Sequence, residues 1–182
     1  MTQEKIIDNF TRIIHETLPH YLELTQIDNG SNISKRFKSE FRKAFKWWLR
    51  HLGTLIPPKA SEEALKKVAD YHIDLFALQW KDQPEAEAKI TTIKGRSVIY
   101  HEHQVTVDEI FELILTSKTK NNVRDALLSH SIVWITREEE KRLPKYNRDL
   151  DAYKKANIVV RNNPYGDLWM DIGWDINKRK SK

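Results

Sequence analysis

The sequence contains no cysteine, which excludes disulfide bonds, thiolate zinc sites and cysteine nucleophiles. Any metal ion would therefore be held by histidine, aspartate or glutamate. No apolar run approaches the roughly 20 residues that a membrane-spanning helix needs. The first ten residues, MTQEKIIDNF, lack the apolar run of a signal peptide. From these absences we expect a cytoplasmic protein that has no membrane partner.

Several sequence signatures of nucleotide chemistry are also missing. The chain has five glycines, and none of them builds a phosphate-binding loop or a dinucleotide fingerprint. No nucleotide cofactor is therefore expected. The 31 Lys and Arg residues exceed the 26 Asp and Glu residues, so the formal net charge is +5. A positive excess of this size favours anionic partners without requiring one. A homo-oligomer is not indicated and stays open.

The length of 182 residues and the 40% hydrophobic content predict one domain that spans residues 1–182 and buries a core. Apolar residues at helical spacing fill a helical part over about residues 1–80. Short apolar runs and turn signals then predict an α+β part over about residues 85–176. The basic tail, residues 177–182, is expected to fray. The predicted fold class is α+β, with a helical N-terminal half followed by a small mixed sheet with helices.

Local signals place several helix ends and strands. Pro19 is expected to end or kink the first helix. Ser61 is expected to cap a third helix that runs to about Trp80. Two capping boxes start later helices, one from Thr106 to Glu109 and the other from Thr136 to Glu139. Short strands are predicted at 90–93, 98–101, 132–135 and 158–160.

A predicted helix over about Ile33–Leu52 has two strongly different faces. Stepping residues at 100° places apolar side chains on one face: Ile33, Phe37, Phe41, Ala44, Phe45, Trp48 and Leu52. Cations take the opposite face: Lys35, Arg36, Lys38, Arg42, Lys43, Lys46 and Arg50. Four of them form a row at i, i+4 spacing that can meet successive phosphates: Lys38, Arg42, Lys46 and Arg50. Trp47 lies at the margin of the polar side, beside Arg36 and Lys43, and can stack on a base. The pattern predicts nucleic-acid binding, and an ordinary solvated helix face is the alternative.

A second candidate site is the segment Tyr100-His101-Glu102-His103. In a strand, His101 and His103 point to one side of the sheet and Glu102 to the other. Imidazole and carboxylate groups can hold a divalent ion such as Mg, Mn or Zn. The hypothesis takes His101, Glu102 and His130 as metal ligands, with His103, His130 and Glu102 as the catalytic groups. Packed or hydrogen-bonded histidines at strand ends are the alternative.

The order Glu102-His103, then Asn121-Asn122, then His130 resembles the motif of HNH nucleases. That resemblance implies Glu102 and His130 as metal ligands and His103 as the general base. Residues 98–160 also resemble a set of uncharacterised small bacterial and prophage-type proteins. Their Glu-His-x-Val-Pro motif matches this chain except that Thr106 replaces the proline. The second resemblance implies no activity, but it implies that His103 and His130 belong to one arrangement.

Two other nuclease patterns overlap with this region. Arg124 and His130 form an Arg-x5-His stretch that resembles the motif of metal-free HEPN ribonucleases. In that family the arginine stabilises the scissile phosphate and the histidine handles the proton. Asp74, followed by Glu87-Ala88-Lys89, resembles the acidic-x-Lys core of restriction-type nucleases, in which carboxylates hold magnesium. Both stay open beside the HNH resemblance.

Two classes of function follow from these patterns. The first is a nucleic-acid-associated protein, with a metal-dependent nuclease using the His/Glu cluster as its specific form. The second is a non-catalytic binding or inhibitory protein that engages a macromolecule through its basic helix or its aromatic C-terminus. The C-terminal aromatics are Tyr165, Trp169 and Trp174, and we expect Trp169 and Trp174 to cover the core.

Overall fold

A computed structural model describes four stretches of the chain: residues 3–26, 32–79, 98–146 and 148–169. None of the described helices is long and apolar enough to cross a membrane. The Cα positions divide the chain into two compact units. Unit 1 consists of Met1–Leu55 and Val105–His130, and unit 2 consists of Ile56–Gln104 and Ser131–Lys182. The first division lies beside Pro57-Pro58, a predicted break, and the single-domain prediction stays a prediction.

Eight helices and four strands form the described secondary structure. In unit 1 and unit 2 together, the helices are α1 (Gln3–Gln26), α2 (Asn32–Gly53), α3 (Glu62–Ala69), α4 (Val107–Leu115), α5 (Lys120–Leu128), α6 (Arg137–Arg142), α7 (Leu150–Lys155) and a 3-10 turn (Gly166–Leu168). The strands are β1 (Lys59–Ser61), β2 (Ile99–His103), β3 (Ile132–Thr136) and β4 (Val160–Arg161). The α+β class with a helical N-terminal half is therefore confirmed.

Unit 1 is built from four helices. α1 packs against α5 and α2, and α2 packs against α4. Aromatic rings join α1, α2 and α4, since Phe41 of α2 stacks on Tyr21 of α1 with 4.6 Å between ring centroids. Phe45 meets Phe111 of α4 edge-on at 5.4 Å. The core also contains fully buried aliphatic side chains from all four helices: Ile7, Ile14, Leu49, Leu52, Ile110, Ile114, Val123 and Leu127.

Unit 2 contains a mixed four-stranded sheet in the order β2-β3-β1-β4. β3 runs antiparallel to β2 and parallel to β1, whereas β1 and β4 are antiparallel. All five residues of β3 are buried, as expected for a central strand covered on both faces. Alternation along β3 sends Trp134 into one apolar cluster and Val133 and Ile135 into another. α3 contributes to the first cluster and α7 to the second.

The structure departs from the local predictions at three places. Pro19 does not end α1, which continues to Gln26, and Leu18 and Tyr21 on either side of the proline are both buried. α3 ends at Ala69 rather than near Trp80, since His72 adopts a left-handed backbone with φ of 53°. β1 was not predicted, because its sequence Lys-Ala-Ser has no strand signature. The predicted strand at residues 90–93 and the tail at 177–182 lie outside the described residues.

The predicted buried face of α2 is only partly correct. Phe45 and Leu52 are buried and Phe41 is half-buried, but Phe37 and Trp48 are exposed. Leu49, which the predicted face omitted, is fully buried. The helix is therefore rotated so that its buried face is centred between Phe45 and Leu49. Part of the apolar side chains and most of the cations consequently face solvent.

Candidate functional site

The charge of this chain is concentrated on α2. The helix carries seven Lys and Arg residues and one Glu, a formal charge of +6. The rest of the sequence has 24 Lys and Arg against 25 Asp and Glu, a formal charge of −1. The whole positive excess of the protein thus lies on one helix of 22 residues. Such a concentration produces a local positive potential that the net charge alone does not reveal.

Two cations of the predicted phosphate row are engaged inside unit 1. The Arg42 guanidinium donates to Glu112 Oε1 at 2.8 Å and lies 5.1 Å from the Phe111 ring centroid. Lys46 Nζ forms an ion pair with Asp108. Desolvation is the largest cause that lowers the pKa of Lys46, and the neighbouring positive charges lower it further. These two side chains stabilise the contact between α2 and α4, so they are less available to a ligand than the sequence indicated.

The remaining cations of α2 face outward. Lys35, Arg36, Lys43 and Arg50 are exposed, and Lys38 is half-buried. Lys43 forms an exposed ion pair with Glu40 at 2.8 Å, a contact of small energetic value in water. Among the residues that the structure describes, the other four cations form no ion pair. We name the exposed set of Lys35, Arg36, Lys43 and Arg50 the outward basic strip.

Aromatic rings accompany the outward basic strip. Trp47 lies between its cations on the helix surface and is 54% exposed. The Trp47 ring packs on His51, one turn later, with 3.8 Å between centroids and an interplanar angle of 34°. Phe37 and Trp48 are 45% and 37% exposed. Sequence reasoning identified Trp47 but missed His51, although the i, i+4 spacing of two flat rings is a readable signal.

The predicted metal site lies on β2 in unit 2. His101 and His103 are half-buried on one face of the sheet, with 5.9 Å between their ring centroids. The His101 ring also contacts Trp134 at 4.6 Å. Glu102 points to the opposite face, as strand alternation requires. The predicted pairing of the two imidazoles is therefore present, but the strand separates them from the neighbouring carboxylate.

Glu102 is committed to an ion pair on its own face of the sheet. Its Oε1 lies 2.7 Å from Arg148 Nη1, and Arg148 Nη2 lies 3.4 Å from Glu140 Oε1. Burial raises the pKa of Glu102, and the Arg148 hydrogen bond and charge partly oppose that increase. Sequence reasoning missed Arg148, since nothing local marks a pairing across 46 positions. The ion pair with Arg148 therefore gives Glu102 a structural partner on the face of the sheet opposite to the two imidazoles.

His130, the third proposed ligand, belongs to unit 1. It follows the C-terminus of α5, where its backbone N–H donates to the Leu127 carbonyl at 3.1 Å, and its side chain is buried. Within residues 3–26, 32–79, 98–146 and 148–169, no group of three or more His, Asp or Glu side chains is arranged to hold a metal ion. Nothing in the described geometry therefore adds support to the predicted metal site.

The alternative catalytic residues also have structural partners. Arg124 forms ion pairs with Asp8 at 2.9 Å and Glu4 at 3.4 Å, which link α5 to α1. Asp74 Oδ1 accepts a hydrogen bond from the Phe76 backbone at 2.9 Å, and Tyr165 donates its hydroxyl to Asp74 Oδ2. That hydrogen bond is the main cause that raises the pKa of Tyr165. Glu87 and Lys89 lie outside the described residues.

The aromatic C-terminus is only partly described. Trp169 is buried, which confirms its predicted role in covering the core, whereas Trp174 lies outside the described residues. Comparison with protein-family models, curated proteins and solved structures gives no match to this chain. The resemblances to HNH nucleases and to prophage-type proteins thus stay predictions.

Proposed function

We propose that this chain is a nucleic-acid-binding protein whose contact surface is the outward basic strip of α2. The observation that carries the proposal is the charge distribution, with +6 on α2, four of whose cations form the outward basic strip, and −1 on the remainder of the sequence. Such a charge distribution favours binding to a polyanion. Each phosphate that Lys or Arg neutralises releases condensed counterions, and this release favours binding.

The arrangement of the strip supports this reading in two further ways. Like charges at helical spacing repel one another, so exposed cations with few acidic neighbours are costly unless they gain a partner. Trp47 stands among these cations with more than half of its surface exposed. An aromatic ring flanked by guanidinium and ammonium groups is a common composition of surfaces that bind nucleic acid.

Binding without catalysis is the better-supported of the two hypotheses. Among the proposed nuclease residues, Glu102 is paired with Arg148, and Arg124 is paired with Asp8 and Glu4. The contacts of these side chains are those of structural ion pairs. Within the described residues, the outward basic strip forms only the exposed Lys43–Glu40 pair, whereas Arg42 and Lys46 supply the ion pairs to α4.

The first prediction tests the strip by removing its charges. We expect the quadruple variant Lys35→Gln, Arg36→Gln, Lys43→Gln and Arg50→Gln to bind oligonucleotides more weakly than the parent. The slope of log affinity against log salt should flatten by about 3, because each lost phosphate contact removes about 0.7 to 0.9 from it. The measurement is fluorescence anisotropy of labelled 20-nucleotide DNA and RNA across a salt series.

The matched control removes four exposed cations elsewhere: Lys66→Gln, Lys67→Gln, Lys118→Gln and Lys120→Gln. This control has the same net charge as the strip variant. A difference in salt slope between the two variants therefore reports the position of the lost charges and not their number. We expect its salt slope to stay within about one unit of the parent slope. Equal slopes for the two variants, or no binding by the parent at low salt, would contradict the proposal.

A further inference from the structure

We infer that α2 binds single-stranded rather than double-stranded nucleic acid, with the faces of exposed aromatic rings stacking on unpaired bases. The inference rests on the proposed function and adds the class of ligand to it. The side chains that favour this class of ligand are aromatic. These are the rings of Phe37, Trp47 and Trp48.

The three rings lie on the solvent side of α2. At 100° per residue, Phe37, Ala44 and Trp48 fall within about 40° of one another and form one stripe along the helix. The stripe extends over about 16 Å, from eleven residues at 1.5 Å each. Trp47 lies beside it, one step closer to the middle of the outward basic strip. All four side chains are exposed.

Packing within unit 1 does not account for this exposure. The buried side of α2 is formed by Phe45, Leu49 and Leu52, with Phe41 stacked on Tyr21. Phe37 packs beside Phe41 and Trp48 beside Phe45, with 6.2 and 6.1 Å between ring centroids, and these two rings still leave 45% and 37% of their surface in water. Large aromatic side chains carry much apolar area, so each exposed part is apolar surface that a ligand can cover. A cluster of exposed rings rimmed by charged residues marks a contact surface.

Cations alternate with these rings along the helix. Arg36 precedes Phe37, Lys43 precedes Ala44, and Arg50 follows the two tryptophans by two to three positions. Arg36, Lys43 and Arg50 are spaced seven residues apart, or about 10 Å along the axis. A ligand that contacts both the exposed rings and these cations must therefore carry flat apolar groups and negative charges together. A polynucleotide strand with unpaired bases has this composition, since each nucleotide carries one base and one phosphate.

Single strands and duplexes differ in whether the faces of their bases are accessible to a protein. In a duplex, each base is stacked between its neighbours and offers only its edges to a protein. In a single strand, the bases can turn outward and stack on Trp or Phe. Trp47 contacts the imidazole of His51 at a centroid distance of 3.8 Å, with the two ring planes tilted by 34°. Its 54% exposure leaves room for a second planar partner.

The test compares strand states at constant chain length. Affinities are measured for a 20-nucleotide DNA of mixed sequence, for its RNA equivalent, and for each annealed to its complement, at one salt concentration. We expect the single strands to bind at least about 10-fold more tightly than the duplexes. We also expect Phe37→Leu, Trp47→Leu and Trp48→Leu each to weaken single-strand binding by about 5-fold or more. Their duplex affinity and salt slope should stay unchanged.

The control pair Tyr71→Leu and Tyr146→Leu removes exposed rings that lie outside α2. We expect no change in affinity from it. Leucine keeps an apolar side chain at each position, and circular dichroism checks that every variant is folded. Quenching of tryptophan fluorescence by the single strand should be reduced in the double variant Trp47→Leu, Trp48→Leu.

Failure of the inference and failure of the proposed function give different results. Equal affinity for single strands and duplexes, with the strip variant impaired on both, overturns the single-strand inference and leaves the proposed function standing. No binding of either form overturns both. Polyglutamate of matched charge that competes as well as the unlabelled single strand would assign the surface to acidic protein and overturn the inference.

Discussion

At the residue scale, the contact between Glu102 and Arg148 changes the interpretation of the predicted nuclease cluster. The two side chains are 8% and 13% exposed, and their charged atoms lie 2.7 Å apart. A buried carboxylate without its cation leaves an uncompensated charge in a medium that solvates it poorly. Replacing Glu102 would therefore disturb folding as well as any chemistry, and loss of activity in such a variant would not identify a catalytic group.

The second prediction concerns this ion pair. We expect Arg148→Met to lower the free energy of unfolding at pH 7 by about 3 to 5 kcal/mol, the usual range for breaking a buried pair by removing one partner. Urea denaturation followed by circular dichroism provides the measurement. The control is Lys154→Met, because Lys154 Nζ lies 3.4 Å from Asp151 Oδ1 in a pair whose side chains are 78% and 73% exposed. That exposed pair should contribute at most about 1 kcal/mol.

The loss in Arg148→Met should also depend on pH. Burial raises the pKa of Glu102 above its usual 4.5, and Arg148 opposes that increase. The folded state then binds the Glu102 proton more tightly than the unfolded state does, so stability falls as pH rises from about 4.5 through the folded pKa. Removing Arg148 raises the folded pKa further and steepens the fall. A variant as damaged at pH 4 as at pH 7 would contradict this account.

At the element scale, the two capping boxes were predicted correctly from sequence. In each box, the threonine hydroxyl accepts a backbone N–H three residues later and the glutamate accepts the threonine N–H. Such signals are readable because they involve four consecutive residues. The two capping boxes differ in environment, since Thr136 and Glu139 are buried whereas Thr106 and Glu109 are half-exposed. Glu139 Oε2 additionally accepts a 2.6 Å hydrogen bond from Ser61, the cap of α3.

The third prediction follows from that difference. We expect Thr136→Ala to lower the free energy of unfolding by about 2 kcal/mol and Thr106→Ala by about 1 kcal/mol, within the range observed for caps. Water can replace the lost hydrogen bond at Thr106, whereas the buried Glu139 N–H would be left without an acceptor. Urea denaturation monitored by circular dichroism compares the two. Equal losses of unfolding free energy in the two variants would show that burial of the capping threonine does not increase its contribution to stability.

The buried face of α2 could not be predicted from the local sequence alone. The helix and its amphipathic character follow from periodicity, but Trp48 and Leu49 are adjacent apolar residues that favour different faces. Which of the two faces is buried depends on α4, because Asp108 and Glu112 of that helix form ion pairs with Lys46 and Arg42. Those partners lie more than 60 positions away. Similarly, β1 is a strand because β3 and β4 pair with it, and its three residues carry no signal of their own.

At the scale of the whole molecule, the charge of α2 could be predicted from sequence, whereas its availability could not. The sequence identified all seven cations. Only the packing of α2 on α4 separates Arg42 and Lys46, which have carboxylate partners, from the outward basic strip. An extended positive surface also accelerates encounter with a polyanion, and salt weakens that effect by screening. The predicted function therefore depends on an arrangement of side chains, while the net charge of +5 is a weak indicator.

The last prediction concerns metal dependence and tests the nuclease hypothesis directly. A metal-assisted hydrolysis requires its ligands to converge on one ion. His101 and His103 lie on one face of the β2 strand, and Glu102 lies on the other, where Arg148 occupies it. We therefore expect labelled DNA and RNA to remain intact after incubation with the full chain in the presence of Mg²⁺, Mn²⁺ or Zn²⁺. At matched ionic strength, a chelator should leave binding affinity unchanged.

The double variant His101→Ala, His103→Ala serves as the matched protein for this assay. Both imidazoles are half-buried on the same strand, and neither belongs to the outward basic strip. If binding resides on α2 and no metal chemistry occurs on β2, this variant should bind oligonucleotides with the parent affinity and salt slope. Cleavage by the parent that requires a divalent ion and disappears in the variant would reverse the conclusion.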